Sequence, residues 1–207
     1  TGNNRIRRVG ADDILSTLVG GVTCGISSSC GDGGLAMQAG LDRPQDVAVA
    51  VDGSILIADT FRGRVRRIGT DGIINTLAGT GFPGCSGDSG PAIQARIGIT
   101  FGIAPTPDGS ILIADSANDC IRKVGTDGNI TTIAGTGFTG SSGDGGLATQ
   151  ATLSDPQDVV IIPDGSILIS QRHNTIRQIH PNGIISQFAG GGNCCGYNKP
   201  PTQTFIN

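Results

Sequence analysis

The chain contains no tryptophan, a single tyrosine (Tyr197) and only two histidines, His173 and His180. Without tryptophan there is no indole platform on which to stack a sugar ring. Two histidines seven residues apart do not furnish the multi-histidine cage of a catalytic zinc. Charge is sparse as well. Fourteen basic residues against 17 acidic ones leave a formal net charge of −3. That balance, with few aromatics for base stacking, argues against a surface that tracks nucleic-acid phosphates. No run of about 18 apolar residues exists, so no segment reads as a membrane-spanning helix. Helical periodicity is missing almost everywhere, and only short stretches such as Leu147–Ala151 have room for one turn of helix. No charged-then-apolar leader opens the sequence and residue 1 is Thr, which reads as a processed or excised piece.

What the chain does have is repetition. Gly31-Asp32-Gly33-Gly34-Leu35-Ala36 returns as Gly87 to Ala92 and as Gly143 to Ala148, 56 residues apart each time. Asp52-Gly53-Ser54-Ile55-Leu56-Ile57 returns at Asp108 to Ile113 and at Asp164 to Ile169. A fixed period of that length marks an array of equal structural units. The 35 glycines recur at set places in the period, which is turn chemistry and not a disordered linker.

Within one period the pattern is that of strands. Gln45–Ala50 alternates and Ser54–Ala58 is a short continuous apolar run. Arg64–Ile68 and Ile73–Ala78 follow, with Asp52-Gly53 and Asp71-Gly72 as hairpin turns. A strand apolar on both sides, as Ile55-Leu56-Ile57 is, needs a sheet packed on each face. Four antiparallel strands per unit, repeated, predict an all-β β-propeller. The motifs in order are Gly143–Ala148, Pro156–Val160, Asp108–Asp115, Ile121–Val124 and Ile130–Gly135. They resemble NHL repeats, and the resemblance covers nearly all of the chain. It implies four-stranded propeller blades, a ring that is mostly six-bladed among known relatives, and a binding or scaffolding role in most of them, with a minority of enzymes.

The expected organisation is one NHL-repeat propeller segment over 1–207. A partial blade covers 1–24, three complete blades fall at about 31–86, 87–142 and 143–192, and a further partial blade at 193–207. Thr1–Val9 aligns with Thr60–Ile68, so the first unit starts at its third strand. Three and a half blades leave open sheet edges and apolar blade faces. Either further blades of a longer chain cover them, or another copy does.

Six cysteines, Cys24, Cys30, Cys85, Cys120, Cys194 and Cys195, are even in number and lack metal-type spacing. They read as disulfide candidates in an oxidising compartment, with free buried thiols as the alternative. Cys24 and Cys30 bracket a loop that other repeats lack and are paired first, then Cys85 with Cys120. Asn129-Ile130-Thr131 is a glycosylation sequon placed in a turn. Asp32, Asp88 and Asp144 read as turn residues that accept backbone N–H bonds, in preference to calcium ligands, because one carboxylate among glycines is a poor cage. Asp59 and Asp115 close the second strand as turn caps, and Gln171 takes their place in the third unit.

Ser86–Pro91 has the look of a serine-protease nucleophile segment. It is in register with the Gly-Asp-Gly-Gly turns, so Ser89 stands where the other units have Gly33 and Gly145. The basic pairs Arg7-Arg8, Arg66-Arg67, Arg122-Lys123 and Arg177-Gln178 point alternately to opposite sides of a strand and so form no single nucleic-acid stripe. They read as solvated strands with ion pairs to nearby Asp. The function expected is a non-enzymatic extracellular interaction or structural module, in its sharper form self-associating through open blade edges. The partner is another protein or a second copy, with no nucleic acid, no membrane insertion and no cofactor. The alternative is a metal-dependent hydrolase or lyase propeller whose active-site ring is completed by blades outside this segment.

Overall fold

The computed structural model describes residues 2–21 and 30–191. Strands β1 (Arg5–Val9) and β2 (Leu15–Gly20) form an antiparallel hairpin. A two-residue strand, β3 (Gly34–Leu35), lies at the outer edge of the first full sheet. That sheet, blade 1, continues as β4 (Asp46–Val49), β5 (Ile55–Asp59), β6 (Arg64–Ile68) and β7 (Ile73–Ala78), in the order β3-β7-β6-β5-β4. Blade 2 comprises β8 (Thr100–Pro105), β9 (Ile111–Asp115), β10 (Cys120–Val124) and β11 (Ile130–Ala134). Blade 3 comprises β12 (Pro156–Ile161), β13 (Ile167–Gln171), β14 (Thr175–Ile179) and β15 (Ile185–Gly190). Each blade is a meander in which every neighbour is antiparallel.

The Asp-Gly turns fold as their chemistry dictates. Gly53, Gly109 and Gly165 take φ of +82°, +85° and +86°, which a side chain resists. The preceding aspartates accept the N–H of Ser54, Ser110 and Ser166 at 3.0, 2.9 and 2.7 Å, closing Asx turns. Ser89 sits at φ +65°, the left-handed position that Gly33 and Gly145 occupy in the other units.

The core lies between blades. Leu56, Ala58 and Val65 of blade 1 pack on Ala95, Ile97, Ile103 and Ile113 of blade 2. Leu112, Ala114 and Ile121 of blade 2 meet Ala151, Leu153, Val159 and Ile169 of blade 3 in the same way. The hairpin adds Val19 against Leu41, Ile57 and Ile68 of blade 1. Each such buried Leu or Ile contributes about 1.5–3 kcal/mol, so blade-to-blade contact carries most of the stability.

Polar stitches join the inner strands. The Ile103 N–H donates to Asp46 Oδ2 at 2.8 Å, and Thr60 Oγ1 donates to the Thr100 carbonyl at 2.7 Å. Ser116 repeats the second stitch by donating to the Pro156 carbonyl. At Gly102 the inner strands of blades 2 and 3 approach so closely that a Cβ would stand 2.7 Å from Asp158 Cα.

Candidate functional site

The repeated basic residue of the third strand does not face solvent. Arg66, Arg122 and Arg177 are among the most deeply buried side chains, whereas the expectation was a solvated strand. Their neighbours keep to it: Arg67 is half exposed and pairs with Asp52, and Lys123 reaches Asp108 at 3.3 Å. A β-bulge explains the aim of the buried arginines. In every third-to-fourth strand pairing the register shifts just before the arginine, at Val65/Arg66, Ile121/Arg122 and Ile176/Arg177, and also at Ile6/Arg7. The bulge bends the strand and turns the guanidinium inward.

Each buried arginine is held by the Gly-Asp-Gly-Gly aspartate. Arg66, Arg122 and Arg177 pair with Asp32, Asp88 and Asp144 at 2.6, 2.6 and 2.7 Å. These carboxylates, expected to accept backbone N–H bonds, therefore spend an oxygen on a guanidinium, and Asp32 also accepts the Thr76 hydroxyl at 2.7 Å. Asp59 and Asp115 flank the same arginines at 3.7 and 3.9 Å, fully buried. They also cap the connection that enters the inner strand, accepting the N–H of Asp42 at 2.6 Å and of Gly98 at 2.9 Å. In blade 3 Gln171 does this with an amide oxygen, accepting the Ser154 N–H at 2.8 Å. Burial outweighs these bonds and raises both carboxyls from the ordinary 3.8 to about 6. Arg7, the equivalent on the hairpin, is exposed.

Cys85 and Cys120 stand together, Sγ to Sγ 3.9 Å, the first exposed and the second buried. Burial pushes the Cys120 thiol far up, with Asp115 adding to it. Cys30 is buried, while Cys24, Cys194 and Cys195 lie outside the described residues, and with them the Cys24–Cys30 pair. Asn129 sits in the β10–β11 turn, its amide donating to Asp127 Oδ2 at 2.8 Å. The histidines are apart in role: His180 Nε2 meets Ser186 Oγ at 2.8 Å in the β14–β15 turn region, and His173 is exposed at the end of β13. Among the described residues no three of His, Cys, Asp and Glu gather as a metal cage.

Two carboxylates escaped the sequence reading. Asp46 and Asp158 occupy one repeat position on the innermost strands, where blade 2 has Gly102. Asp46 is used up by the N–H of Val47 at 2.7 Å and of Ile103. Asp158 accepts the Val159 N–H at 2.8 Å, and its acidity is weakened by burial and by Asp46. The signal was the Gln-Asp-Val spacing, but alternation marks only which side of a strand a residue is on.

The flanks of the array differ from its interior. Val47, on the blade 1 inner strand, is 47% exposed, whereas its repeat equivalents Ile103 and Val159 are 4% and 2% exposed beneath the preceding blade. On the opposite flank Val160 is 48% exposed where Ala104 is 8%.

A family model described as the teneurin NHL domain matches residues 18–83. Teneurin-m of Drosophila melanogaster is 30% identical over 187 residues, 83% of this chain and 7% of that protein, so the chain spans a small part of the relatives it matches. Among solved structures, a structural-genomics protein from Bacteroides thetaiotaomicron superposes with a TM-score of 0.62 at 19% identity, over 82% of this chain and 40% of that one. Virginiamycin B lyase from Staphylococcus aureus gives a TM-score of 0.55 at 16% identity, over 90% and 48%. At these identities the two structures are similar in fold alone. The class they define together with the blades is the β-propeller. The repeat motifs and the teneurin NHL match narrow it further: the chain belongs to the NHL-repeat family.

Proposed function

We propose that this chain is a non-enzymatic, extracellular interaction or structural module whose open flanks take further blades, a second copy serving as the neighbour in its self-associating form. Its units are the blades 31–86, 87–142 and 143–192, with partial blades on either side. The observation that carries this reading is the contrast at one repeat position, Val47 at 47% exposure against 4% and 2% for Ile103 and Val159. The side chain there is apolar in all three units, so the flank has the chemistry of a blade interface without the cover. Apolar patches of this kind mark association surfaces. The similarity to teneurin NHL domains supports a module within a larger surface, and the exposed Asn129 turn and the adjoining Cys85 and Cys120 suit an oxidising, extracellular setting.

The enzyme alternative would place its metal ring on the inner strands. Asp46 is committed to two backbone N–H groups there, which favours a structural part for it. The test is the double variant Val47→Lys/Val160→Lys, both positions exposed in the single chain. Cross-linking and sedimentation should show association in the parent chain and its loss in the variant, with the circular dichroism unchanged. Equal association in both would sink the flank reading.

A further inference from the structure

We infer that the Arg8–Val9 peptide bond is a processing site for a serine endoprotease of the proprotein-convertase class. Such an enzyme binds its substrate as an extended strand and reads arginine at the first, second and fourth residues before the cut. This goes beyond the reading of the chain as an interaction module. The pattern Arg-x-Arg-Arg occurs twice, as Arg5-Ile6-Arg7-Arg8 and as Arg64-Val65-Arg66-Arg67. Both copies lie on the third strand of their unit, and the fold treats them in opposite ways.

In blade 1 the motif is locked. β6 lies between β5 and β7, so both of its edges are paired. Val65 and Arg66 are fully buried, and Ile68, beyond the equivalent bond, is 3% exposed. Arg66 is held by Asp32 and Asp59, and Arg67 by Asp52. In the hairpin the same motif is open. β1 has β2 on one side and, among the described residues, no strand on the other. Arg5, Arg7 and Arg8 are exposed, and Val9 is 62% exposed. Among the described residues no carboxylate pairs with any of these three arginines. Arg7 gives one long bond, 3.4 Å, to the Leu15 carbonyl.

These are the features a protease cleft needs. The free edge of β1 offers its N–H and C=O groups to a second strand, the mode in which extended peptides are bound. Unpaired guanidinium groups suit subsites lined with carboxylates, which they meet through two parallel bonds. The register shift between Ile6 and Arg7 interrupts the ladder to β2, and a two-stranded sheet holds its strands weakly. In the reaction the serine oxygen of the enzyme adds to the Arg8 carbonyl carbon. The bond to the Val9 nitrogen then breaks as that nitrogen takes a proton, and water releases the acyl group. One water is consumed, and the products are an Arg8 carboxylate and a Val9 amine.

The test treats the whole chain with a purified proprotein convertase and calcium, with the peptide Asn3–Asp12 as the unfolded control, and follows initial rates by mass spectrometry. A new amino terminus at Val9 is expected. The Arg67–Ile68 bond should be cut at least about a hundredfold more slowly, because a central strand must first open. Arg8→Gln should abolish the cut, and Arg5→Gln should slow it about tenfold, the scale of one charge-assisted contact. Resistance of the peptide, cleavage of the peptide but not of the chain, equal rates at the two motifs, or an undiminished cut in Arg8→Gln would each overturn the assignment.

Discussion

Replacing Arg122 by Met should be among the most damaging single changes in blade 2, with a pH signature that identifies the cause. Arg122 is fully buried between Asp88 at 2.6 Å and Asp115 at 3.9 Å. Asp88 is 48% exposed and can be rehydrated, but Asp115 is not exposed at all. Without the guanidinium its charge would be buried and uncompensated, so the carboxyl keeps its proton instead, and the cost relative to the parent is limited to about 1.4 kcal/mol for each pH unit above 6. The carboxyl of Asp115 is raised from 3.8 to about 6 by burial even with Arg122 beside it. A folded pKa above the unfolded one means that the native state holds the proton more tightly. The contribution to stability is then full below about pH 4 and is lost as pH rises through about 6. Arg122 acts to lower this pKa, so the Met variant carries it higher still. Below pH 6 parent and variant both hold the proton and their stabilities run in parallel. From pH 6 to 8 the penalty should grow by up to about 1.4 kcal/mol per pH unit. Urea unfolding followed by circular dichroism at pH 6 and 8 measures it. Adding Asp115→Asn should remove the pH dependence, and Asp115→Asn alone should be mild, because blade 3 already uses the neutral Gln171 there. A penalty under about 1 kcal/mol, or one equal at both pH values, would refute the buried-charge account.

Gly102→Ala should cost about 1–3 kcal/mol by overpacking, since its Cβ would meet Asp158 Cα at 2.7 Å and the Gln157 carbonyl at 3.0 Å. Gly2→Ala, with open space around it, should leave the melting temperature unchanged. We propose that glutathione disulfide links Cys85 to Cys120 by thiol–disulfide exchange, releasing two glutathione thiols. Closing that 35-residue separation should stabilise the chain by about 4 kcal/mol, and non-reducing peptide mapping that finds both thiols free would count against it. Secretion from a eukaryotic host should place a glycan on Asn129, seen as a mass loss on endoglycosidase treatment that the Thr131→Ala variant does not show.

Much of the fold is legible because repeats expose their turn chemistry. Asp-Gly at fixed offsets locates the hairpins, and Ile55-Leu56-Ile57 announces a strand covered on both sides. The buried arginines are harder to read. Alternation says that Arg66 and Arg67 point opposite ways, but only the bulge after Val65 and the neighbouring Asp32 decide which is inside. Asp46 and Asp158 lie in a segment read for its valines, and their approach to blade 2, Asp46 at Ile103 and Asp158 at Gly102, is not written in any one blade alone.

The measurement that bears most directly on the open flanks is the mass and shape of the native particle, by light scattering with electron microscopy. The account predicts assemblies larger than one chain, joined side by side through Val47 and Val160 into rings or filaments. A stable, fully folded monomer at concentrations well above the micromolar range would contradict it and show that these flanks need no neighbour.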